Sequence, residues 1–334
     1  MKCLKIRTMD IQSVREYLDQ DWNAVQERIV SALNSDIALL NTTNSSILSQ
    51  SGKQLRPMLA LMFARACAGK ALDGSIRYAA ASELLHNATL LHDDVADASE
   101  MRRGKPTIMS LMGPTVSVLV GDYWLVKAME LILCDSVHDT TAIRIFSKTL
   151  SDLAEGEMLQ LQKAQSGDTD ESDYLRIIYS KTASLFEAAC VSAALSVDAS
   201  QEQMQAAKDY AVALGLAFQI KDDILDYDGT DSVGKPLGVD ILEQKITMPL
   251  LGALRNVAPE VQTEIRGKIK DIVGQPELRD EIVAFVRENG GLDYAVARLN
   301  DYVHAAVEAL KVLPESKEKE FLVKLAHYTA FRDK

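Results

Sequence analysis

The sequence predicts an all-α protein, built as one large helical domain around a central cavity. Apolar residues recur with a period near 3.6 along almost the whole chain, which is typical of amphipathic helices. Valine and isoleucine are scattered through that pattern instead of alternating with polar residues, so no convincing strand is predicted. Only 8 prolines interrupt the 334 residues. Because no low-complexity linker and no solenoid repeat divides the chain, we expect the single domain to extend over residues 1–334.

Each predicted helix lies between short polar segments or begins near a proline. Pro114, Pro259 and Pro314 stand where the first turn of a helix tolerates proline. Polar breaks are predicted at 42–52, 98–113, 166–170 and 229–243. With boundaries uncertain by about 2–4 residues, the helices in chain order are predicted at 9–34, 53–68, 74–97, 114–136, 138–166, 171–198, 200–228, 244–256, 258–273, 277–289, 291–312 and 315–332.

The composition excludes several classes of protein. A formal net charge of −12 argues against a nucleic-acid partner. The four cysteines stand far apart, without a CxxC pair or a histidine at ligand spacing, so neither a zinc site nor a disulfide framework is predicted. No signal peptide is visible, and no apolar run approaches the ~18 residues that a spanning helix needs. We therefore expect a protein of a reducing compartment, the cytoplasm, without a transmembrane segment.

A pair of aspartates stands in the segment Glu83–Asp97, which reads ELLHNATLLHDDVAD. On a helix, Asp93 and Asp97 share one face and lie roughly 6 Å apart along the axis. His86 lies seven residues before Asp93, nearly in line with it. Two like charges at that spacing destabilise a bare helix, so a bound cation would compensate them. Taken alone, such a pair is more often a solvated acidic helix end.

A second pair repeats the arrangement in the segment Phe218–Asp226, which reads FQIKDDILD. Asp222 and Asp226 share a face, and Gln219 lies one turn below them. Two copies within apolar sequence are hard to explain as solvated faces, since burying unpaired carboxylates is costly. We therefore expect the two clusters to face each other across a cavity. There they would hold several Mg²⁺ ions, which bind carboxylate oxygens together with substrate phosphates.

Basic residues occur where diphosphates would need them. Arg102 and Arg103 follow the first cluster directly, in the sequence RRGK. Lys53 and Arg56 open an early helix, where backbone N–H groups and positive side chains suit phosphate. Each cation alone is typical of a protein surface, but adjacent arginines favour phosphate, because bidentate guanidinium contacts match its geometry. Three further lysines complete the set: Lys181 (beside Thr182), Lys235 and Lys245.

Motifs of one known family run along nearly the whole chain. They are GKxxRP at 52–57, LLHDDVADxxxxRRGKPT at 90–107, VGD at 120–122, EGExxQL at 155–161, YSKTA at 179–183, FQIKDDILDY at 218–227, and GKxxGxD with KxTxP from 234 to 249. By this set the chain resembles the trans-isoprenyl diphosphate synthases of the polyprenyl synthetase family, most of all their bacterial long-chain branch. Ser51 and Gln54 depart from the family pattern, where glycine and a basic residue are common.

The resemblance implies a fold and an activity. The fold would be the helical bundle of the isoprenoid synthases, assembled as a homodimer. The activity would be the Mg²⁺-dependent, head-to-tail (1′-4) condensation of isopentenyl diphosphate onto an allylic diphosphate. The product would be a medium- or long-chain all-trans polyprenyl diphosphate for quinone side chains. No catalytic triad or cysteine nucleophile is then needed, because the released diphosphate can take up the proton.

The resemblance also implies roles for single residues. Asp93 and Asp97 would bind two of three Mg²⁺ ions on the allylic diphosphate, and Asp222, with Asp226 nearby, would hold the third. The middle aspartates of the two motifs, Asp94 and Asp223, would support them. The allylic diphosphate would be bound by Arg102, Lys181 and Lys245, with Lys235 close by. Isopentenyl diphosphate would be bound by Lys53, Arg56, His86 and Arg103. The region where the allylic cation forms would be lined by Thr182 and Gln219.

Chain length would depend on side-chain bulk below the first cluster. Thr89 lies one helical turn before Asp93, and Ala88 lies beside it. Both are small, so a product tail passing this level would not be blocked there. We therefore expect elongation beyond the short-chain products.

Three alternatives stay open at this point. The first is a short-chain synthase, giving farnesyl or geranylgeranyl diphosphate. A class I terpene synthase would replace the second aspartate motif by an Asn/Asp–Ser/Thr–Glu metal motif, and residues 222–230 contain no such glutamate. A non-catalytic partner subunit would tend to lose one aspartate cluster, whereas this chain retains both.

Overall fold

The fold is that of a computed structural model, which describes residues 11–50, 52–134, 137–228 and 237–331. Lys235 lies outside the described residues. Two compact units are formed. The first comprises the described residues up to Ser147 with Glu187–Lys208 and Val312–Leu322, and the second the intervening and remaining described residues. The prediction of a single domain stays a prediction.

The prediction of an all-α fold is confirmed, since a pair of two-residue strands is the only β-structure in the described ranges. No helix within those ranges is long and apolar enough to span a membrane. The elements of the first part of the chain are α1 (Ile11–Ala32), α2 (Ala38–Leu48), α3 (Leu55–Ala68), α4 (Asp73–Ala96), β1 (Met101–Arg102), β2 (Lys105–Pro106), α5 (Ile108–Met112) and α6 (Pro114–Ile132).

The rest of the described chain is also helical. Its elements are α7 (Asp139–Ser166), α8 (Glu171–Ile178), a π-helical turn (Tyr179–Ala183), α9 (Ser184–Leu195), α10 (Gln201–Asp228), α11 (Val239–Leu242), α12 (Met248–Leu254), α13 (Pro259–Asp271), α14 (Leu278–Glu288), α15 (Gly291–Ala309), a 3₁₀ turn (Leu310–Val312) and α16 (Lys317–Phe331).

In the first unit α4 is the central helix, and it packs along α6, α3 and α1. Its buried face carries many small side chains, among them Ala80, Ala81 and Ala88, which let neighbouring helices approach closely. On α6, Gly121 is buried, and a Cβ there would collide with the ring of His92 on α4. His92 therefore lies in the contact between the two helices.

A buried arginine joins the ends of three elements in this unit. Arg77 of α4 is 3% exposed and donates to the carbonyl oxygens of Leu131 (2.9 Å) and Ile132 (3.1 Å) at the end of α6. It also contacts Asp73 Oδ2 at 2.9 Å and Asp139 Oδ1, at the start of α7, at 3.4 Å. The last carbonyl groups of a helix have no partner within the helix, and the guanidinium supplies one.

Two predictions of local structure were wrong in this unit. The segment 42–52 was predicted as a break, but α2 continues to Leu48. Buried Asn44 explains the difference, because it accepts from Trp124 Nε1 (2.8 Å) and donates to the carbonyl of Leu33 (2.9 Å). The first helix was predicted as continuous, but it kinks at Asp19 (φ 42°). There Arg65 donates to the carbonyl groups that precede the kink, those of Tyr17 (3.1 Å) and Leu18 (2.8 Å).

In the second unit α12 is buried and packs on α15, α14 and α8. Predicted helix 171–198 is interrupted, since the π-helical turn separates α8 from α9. Predicted helix 244–256 begins later, at Met248, and part of the predicted break before it is the short α11. The other predicted helices are confirmed to within a few residues.

Candidate active site

The first aspartate pair lies at the carboxyl end of α4. Asp93 is half-buried in the last turn, and Asp97 is the exposed capping residue, whose N–H donates to the Asp93 carbonyl at 2.8 Å. The end of a helix dipole is negative here, so two carboxylates are electrostatically unfavourable. A bound cation would relieve that repulsion, and the metal site stays a prediction.

The middle aspartate of this motif holds an arginine. Asp94 is buried, and its Oδ1 accepts from Nε of Arg102 at 2.8 Å. The Asp94 carbonyl accepts from the N–H of Ser99 at 2.9 Å, which fixes the chain as it leaves α4. Arg102 is thereby oriented by a buried carboxylate.

The sequence RRGK forms a tight hairpin that sequence reasoning left as a plain break. Arg102 pairs with Lys105, and Met101 pairs with Pro106. The two residues of the turn, Arg103 (φ 52°) and Gly104 (φ 75°), both have positive φ, as a type I′ hairpin requires. Such a conformation is unfavourable for arginine. The strained residue, Arg103, is one of those predicted to bind isopentenyl diphosphate.

Two of the cations predicted to bind isopentenyl diphosphate lie close to one buried carboxylate. Glu83 of α4 is 5% exposed and interacts with the charges of Arg56 and Arg103. Asn87 donates to Glu83 Oε1 at 3.2 Å. Burial raises the pKa of Glu83, and the positive charge of Arg56 opposes that rise. Burial likewise lowers the pKa of Arg56 to about 10.

His86 belongs to the same cluster. Burial lowers its pKa well below 6.5, and the charges of Arg56, Arg103 and Arg102 lower it further. The imidazole is therefore neutral at neutral pH, with one nitrogen able to donate and the other to accept. Glu83 was missed as a structural member of this cluster. Two features of the sequence could have indicated it: Glu83 stands among apolar residues, and it lies three residues before His86.

The loop before α3 is fastened from α1. Arg15 Nη2 donates to the carbonyl groups of Gly52 (3.3 Å) and Lys53 (3.0 Å). The Arg103 guanidinium occupies the space beside Gly52, since a Cβ there would lie 2.5 Å from Arg103 Nη1. The glycine of the GKxxRP motif is thus needed for the position of Arg103.

A cavity of about 310 Å³ opens beside the hairpin. Arg102 and Arg103 both line it, although they were predicted to bind different substrates. Part of the wall comes from α2, the helix that was not predicted. The other lining residues are Ile47, Ser49, Gln50, Asn87, Leu90, Leu91, Asp94, Lys105, Pro106, Thr107 and Ile108.

In the second unit a chain of hydrogen bonds connects the second aspartate motif to the π-helical turn. Thr182 Oγ1 bonds to Gln219 Oε1 at 3.1 Å, and Gln219 Nε2 donates to Asp223 Oδ1 at 3.0 Å. The hydroxyl of Tyr174 donates to the other oxygen of buried Asp223. Three predicted residues from two motifs are thereby brought together. Tyr174 was missed, because nothing in its sequence context distinguishes it from a core tyrosine.

Asp226 has a structural role that the sequence did not predict. Its two carboxylate oxygens accept from the N–H groups of Val239 and Asp240, each at 3.1 Å, and its carbonyl accepts from Gly238 at 2.8 Å. Asp226 therefore fastens the segment that starts α11, whatever else it binds. Asp240 was also missed. It is the last residue of the GKxxGxD motif, which was the signal for it.

The second acidic cluster carries more negative charge than its environment stabilises. Burial raises the pKa of Asp223 to about 8, with Asp240 contributing. Burial and the charge of Asp226 raise the pKa of Asp240 to about 6. A divalent cation would offset this repulsion, so the donors suit Mg²⁺. Within the described chain no three His, Cys, Asp or Glu side chains already converge as a complete metal site.

Two predicted lysines contact acidic neighbours in this unit. Lys181 Nζ lies 2.7 Å from Glu157 Oε1 and 3.0 Å from Gln160 Oε1, both on α7. Lys245 pairs with Glu243 and lies 4.0 Å from Asp240 Oδ1. A cavity of about 110 Å³ is lined by Gln160, Lys163, Ala164, Thr169, Tyr174, Ile177, Ile178, Lys181, Gln219, Asp223, Asp240, Gln244, Lys245, Ile246 and Thr247.

The two predicted chain-length residues lie on different faces of α4. Ala88 is 1% exposed, within the packed side of the helix. Thr89 is half-buried, and its hydroxyl donates to the carbonyl of His86 at 2.8 Å. Both are small, as predicted. Their role in chain length stays a prediction.

Comparison with known proteins identifies the family. The family model of the polyprenyl synthetases matches residues 37–286. The chain belongs to the polyprenyl synthetase family. It is 38% identical to octaprenyl diphosphate synthase of Haemophilus influenzae over 326 residues, which cover 97% of this chain and 98% of that protein.

Solved structures agree. The crystal structure of a decaprenyl diphosphate synthase from Rhodobacter capsulatus superposes with a TM-score of 0.87 at 34% identity, covering 96% of this chain and 98% of that one. A Caulobacter crescentus polyprenyl synthase, solved with calcium and isoprenyl diphosphate, has a TM-score of 0.87 at 33% identity, covering 98% and 99%. This polyprenyl synthetase family member is a prenyltransferase, and its helical architecture is that of the isoprenoid synthases.

Proposed function

We propose that the chain condenses isopentenyl diphosphate onto an allylic diphosphate, head to tail, and releases an all-trans polyprenyl diphosphate of octaprenyl-like length. One observation carries the proposal. Each unit has a cavity lined by both carboxylate and cationic side chains from the sequence motifs. Cations bind diphosphate directly, and carboxylates bind it through a divalent metal.

The proposed metal is Mg²⁺, with three ions in the active enzyme. Asp93 and Asp97 would hold two, and Asp222 the third. The calcium in the Caulobacter crescentus structure supports a divalent ion in this family. When bound, the metal neutralises charge on the diphosphate leaving group. Asp226 is the least suited of the predicted ligands, because both its oxygens already accept from backbone N–H groups.

Lys181, Lys245 and Arg102 would bind the allylic diphosphate and stabilise the charge that develops on it as the C–O bond breaks. Thr182 and Gln219 would lie beside the allylic cation. The bond from Gln219 Nε2 to Asp223 orients the Gln219 amide, whose Oε1 in turn accepts from Thr182. Lys235, which lies outside the described residues, would assist them. Fixed donors of this kind need no reorganisation during the reaction.

Lys53, Arg56, His86 and Arg103 would bind isopentenyl diphosphate. Support comes from the cluster around Glu83, which gathers positive charge while leaving His86 neutral. The double bond of isopentenyl diphosphate attacks the allylic cation, and the new cation then loses a proton. We propose that the released diphosphate takes up this proton, so that no side chain acts as the base.

The product tail would pass Ala88 and Thr89, whose small side chains leave room for elongation. The 38% identity to an octaprenyl diphosphate synthase supports a medium- or long-chain product, which would supply a quinone side chain. A short-chain synthase is the alternative that the shared motifs leave open.

Wild-type enzyme should be incubated with isopentenyl diphosphate and geranyl, farnesyl or geranylgeranyl diphosphate, with Mg²⁺ or with EDTA. Mass spectrometry should then find polyprenyl diphosphates of about eight isoprene units, and only when Mg²⁺ is present. Products ending at three or four units would establish the short-chain alternative. Absence of any condensation product, with every primer, would overturn the proposed function.

The enzyme is further proposed to be a homodimer. The apolar side chains of Leu119 (62% exposed) and Val126 (53%) on α6, and of its capping residue Leu133 (53%), recur every seven residues and form one stripe. A heptad stripe of this kind pairs well with the same stripe of a second copy. Light scattering after size exclusion should give twice the chain mass for the wild type and the single-chain mass for Leu119→Asp/Val126→Asp. A wild-type monomer would contradict the proposal.

A cytoplasmic location is also proposed. Cys67, Cys134 and Cys190 are free thiols in the described part of the chain, which suits a reducing compartment. Fractionation of cells that express the full chain should recover it with the cytoplasmic proteins.

A further inference from the structure

The residues Lys181 and Thr182 lie in the π-helical turn Tyr179–Ala183, between α8 and α9. A π-turn accommodates one residue more than an α-helical turn and is rare, and it occurs frequently at functional sites. It persists only where the surrounding structure holds it. The packing around Tyr179–Ala183 therefore shows which residues do so.

From one side, α7 approaches the turn at Gly156. This residue is buried, and a Cβ at its position would lie 2.6 Å from Cβ of Ser180 and 3.4 Å from the backbone nitrogen of Lys181. Real Cβ atoms are essentially never found below 3.0 Å from such neighbours. Only glycine allows α7 to pass this close to the turn.

From the other side, α10 approaches at Gly215. A Cβ there would lie 2.5 Å from Cα and 2.7 Å from Cβ of Ala183. The obstacle is main chain, which cannot move away as a flexible side chain can. The turn is thus packed against one glycine of α7 and one glycine of α10.

The same two helices also hold the functional side chains of the turn. On α7, Glu157 and Gln160 contact the Lys181 ammonium at 2.7 and 3.0 Å. On α10, Gln219 lies one helical turn after Gly215 and bonds to Thr182 Oγ1 at 3.1 Å. Close backbone packing and side-chain contacts therefore act on the turn from the same helices.

We propose that Gly156 and Gly215 are positioning residues for the reaction, which clamp the π-turn so that Lys181 and Thr182 are held at the allylic diphosphate. The inference rests on the proposed function. An added methyl group at either glycine pushes the turn away from its helix. Lys181 and Thr182 then move relative to Gln160 and Gln219, while the isopentenyl-binding residues around Glu83 are untouched.

The test compares Gly156→Ala and Gly215→Ala with Gly267→Ala. Gly267 lies on α13 with nothing within 4 Å of an added Cβ, so its variant is the matched control. In the two clamp variants we expect the Michaelis constant for the allylic diphosphate to rise and kcat to fall, together by about tenfold to a hundredfold, as for small misplacements of catalytic groups. The Michaelis constant for isopentenyl diphosphate should stay within twofold of the wild type, as should all constants of Gly267→Ala.

A second substitution should restore the packing. Ser180→Gly removes the Cβ that an alanine at position 156 would meet, so Gly156→Ala/Ser180→Gly should recover much of the allylic Michaelis constant. Hydrogen exchange of the amides of 179–183 should be faster in Gly156→Ala than in the wild type, and slower again in the double variant. If Gly215→Ala does not fold, the Gly156 series decides.

The clamp would be overturned if Gly156→Ala raised the Michaelis constants for both substrates equally. It would also be overturned if Ser180→Gly did not restore the allylic Michaelis constant of Gly156→Ala. Unchanged exchange of 179–183 in Gly156→Ala would also overturn it, and that measurement needs no activity. If the wild type forms no condensation product, the proposed function fails by itself. Hydrogen exchange of residues 179–183 in Gly156→Ala and in the double variant would still test whether the glycines hold the turn.

Discussion

Gly52 shows how one missing side chain determines the place of a charged group. The Arg103 guanidinium lies where the Cβ of any other residue would be. Arg103 itself sits in a strained left-handed conformation at the hairpin turn. Its position is therefore fixed from two directions, by the turn and by the space beside Gly52.

We predict that Gly52→Ala displaces Arg103 without unfolding the protein, because the obstacle is the end of a flexible side chain. The Michaelis constant for isopentenyl diphosphate should rise about tenfold or more, as expected for loss of one charge-assisted contact. In an Arg103→Ala background, Gly52→Ala should hardly raise that Michaelis constant further. If the effects of the two substitutions were additive in this double-mutant cycle, the two residues would not be coupled.

His86 gives a prediction about pH. Its pKa in the folded protein lies well below 6.5, whereas in the unfolded chain it is near 6.5. Between those values the unfolded state binds more protons, so stability falls as pH is lowered. The free energy of unfolding should drop below pH 6.5, by at most about 1.4 kcal/mol per pH unit from this residue.

Denaturant titrations at pH 7.5 and 5.5 would measure this slope. His86→Gln should show a smaller loss between the two pH values than the wild type. Between pH 7.5 and 8.5 His86 is neutral in both states. The free energy of unfolding should therefore change by the same amount in the wild type and the variant over this range. An identical acid loss in wild type and variant would show that His86 does not cause it.

At the scale of elements, Arg77 and Arg28 make a natural comparison, since both contact Asp73. Arg77 is buried and also holds the end of α6, whereas the Arg28–Asp73 pair, at 2.7 Å, is well exposed. Removing one member of a buried ion pair leaves the other charge buried without compensation, whereas exposed pairs contribute little to stability.

We predict that Arg77→Ala lowers the free energy of unfolding by about 3–5 kcal/mol, because buried Asp139 loses its cationic partner and two carbonyl groups lose a donor. Arg28→Ala should cost less than about 1 kcal/mol. Chemical denaturation of both variants measures the difference. Similar losses would mean that the network around Arg77 does not tie the three helices together.

At the scale of the whole molecule, both aspartate clusters should be needed for turnover. Asp93→Ala and Asp222→Ala should each lower kcat by orders of magnitude, because each removes a proposed ligand of the metal that acts on the leaving group. Folding should survive, since repulsion among neighbouring carboxylates is relieved. Steady-state rates and circular dichroism test this. Near-normal turnover of Asp93→Ala would remove the assignment of the first cluster.

Chain length is the other property of the whole molecule. Ala88→Tyr adds a large side chain at a position that is 1% exposed, and overpacking costs about 1–3 kcal/mol. Early condensations should continue while products become shorter by several isoprene units in mass spectrometry. Thr89→Ser, which keeps the site small, should leave the product length unchanged. Full-length product from a folded, active Ala88→Tyr would mean that the tail takes another route.

The sequence by itself determined the fold class, the family and the identity of most candidate site residues. Helical periodicity is a local property, so most helices, among them α4, α7 and α10, could be predicted. The aspartate motifs DDVAD and DDILD identify themselves, because four-residue spacing on a helix aligns carboxylates whatever the tertiary fold. Basic residues beside them completed a recognisable chemistry.

Only the tertiary structure decided what local sequence cannot encode. Helix α2 depends on Asn44 meeting Trp124, and the π-turn depends on Gly156 and Gly215, partners that are distant in sequence. The positions of Glu83 beside Arg56 and of Tyr174 beside Asp223 likewise exist only after packing. Such contacts arise when close approach and burial make an unpaired polar group costly, and that cost depends on neighbours which the order of residues does not reveal.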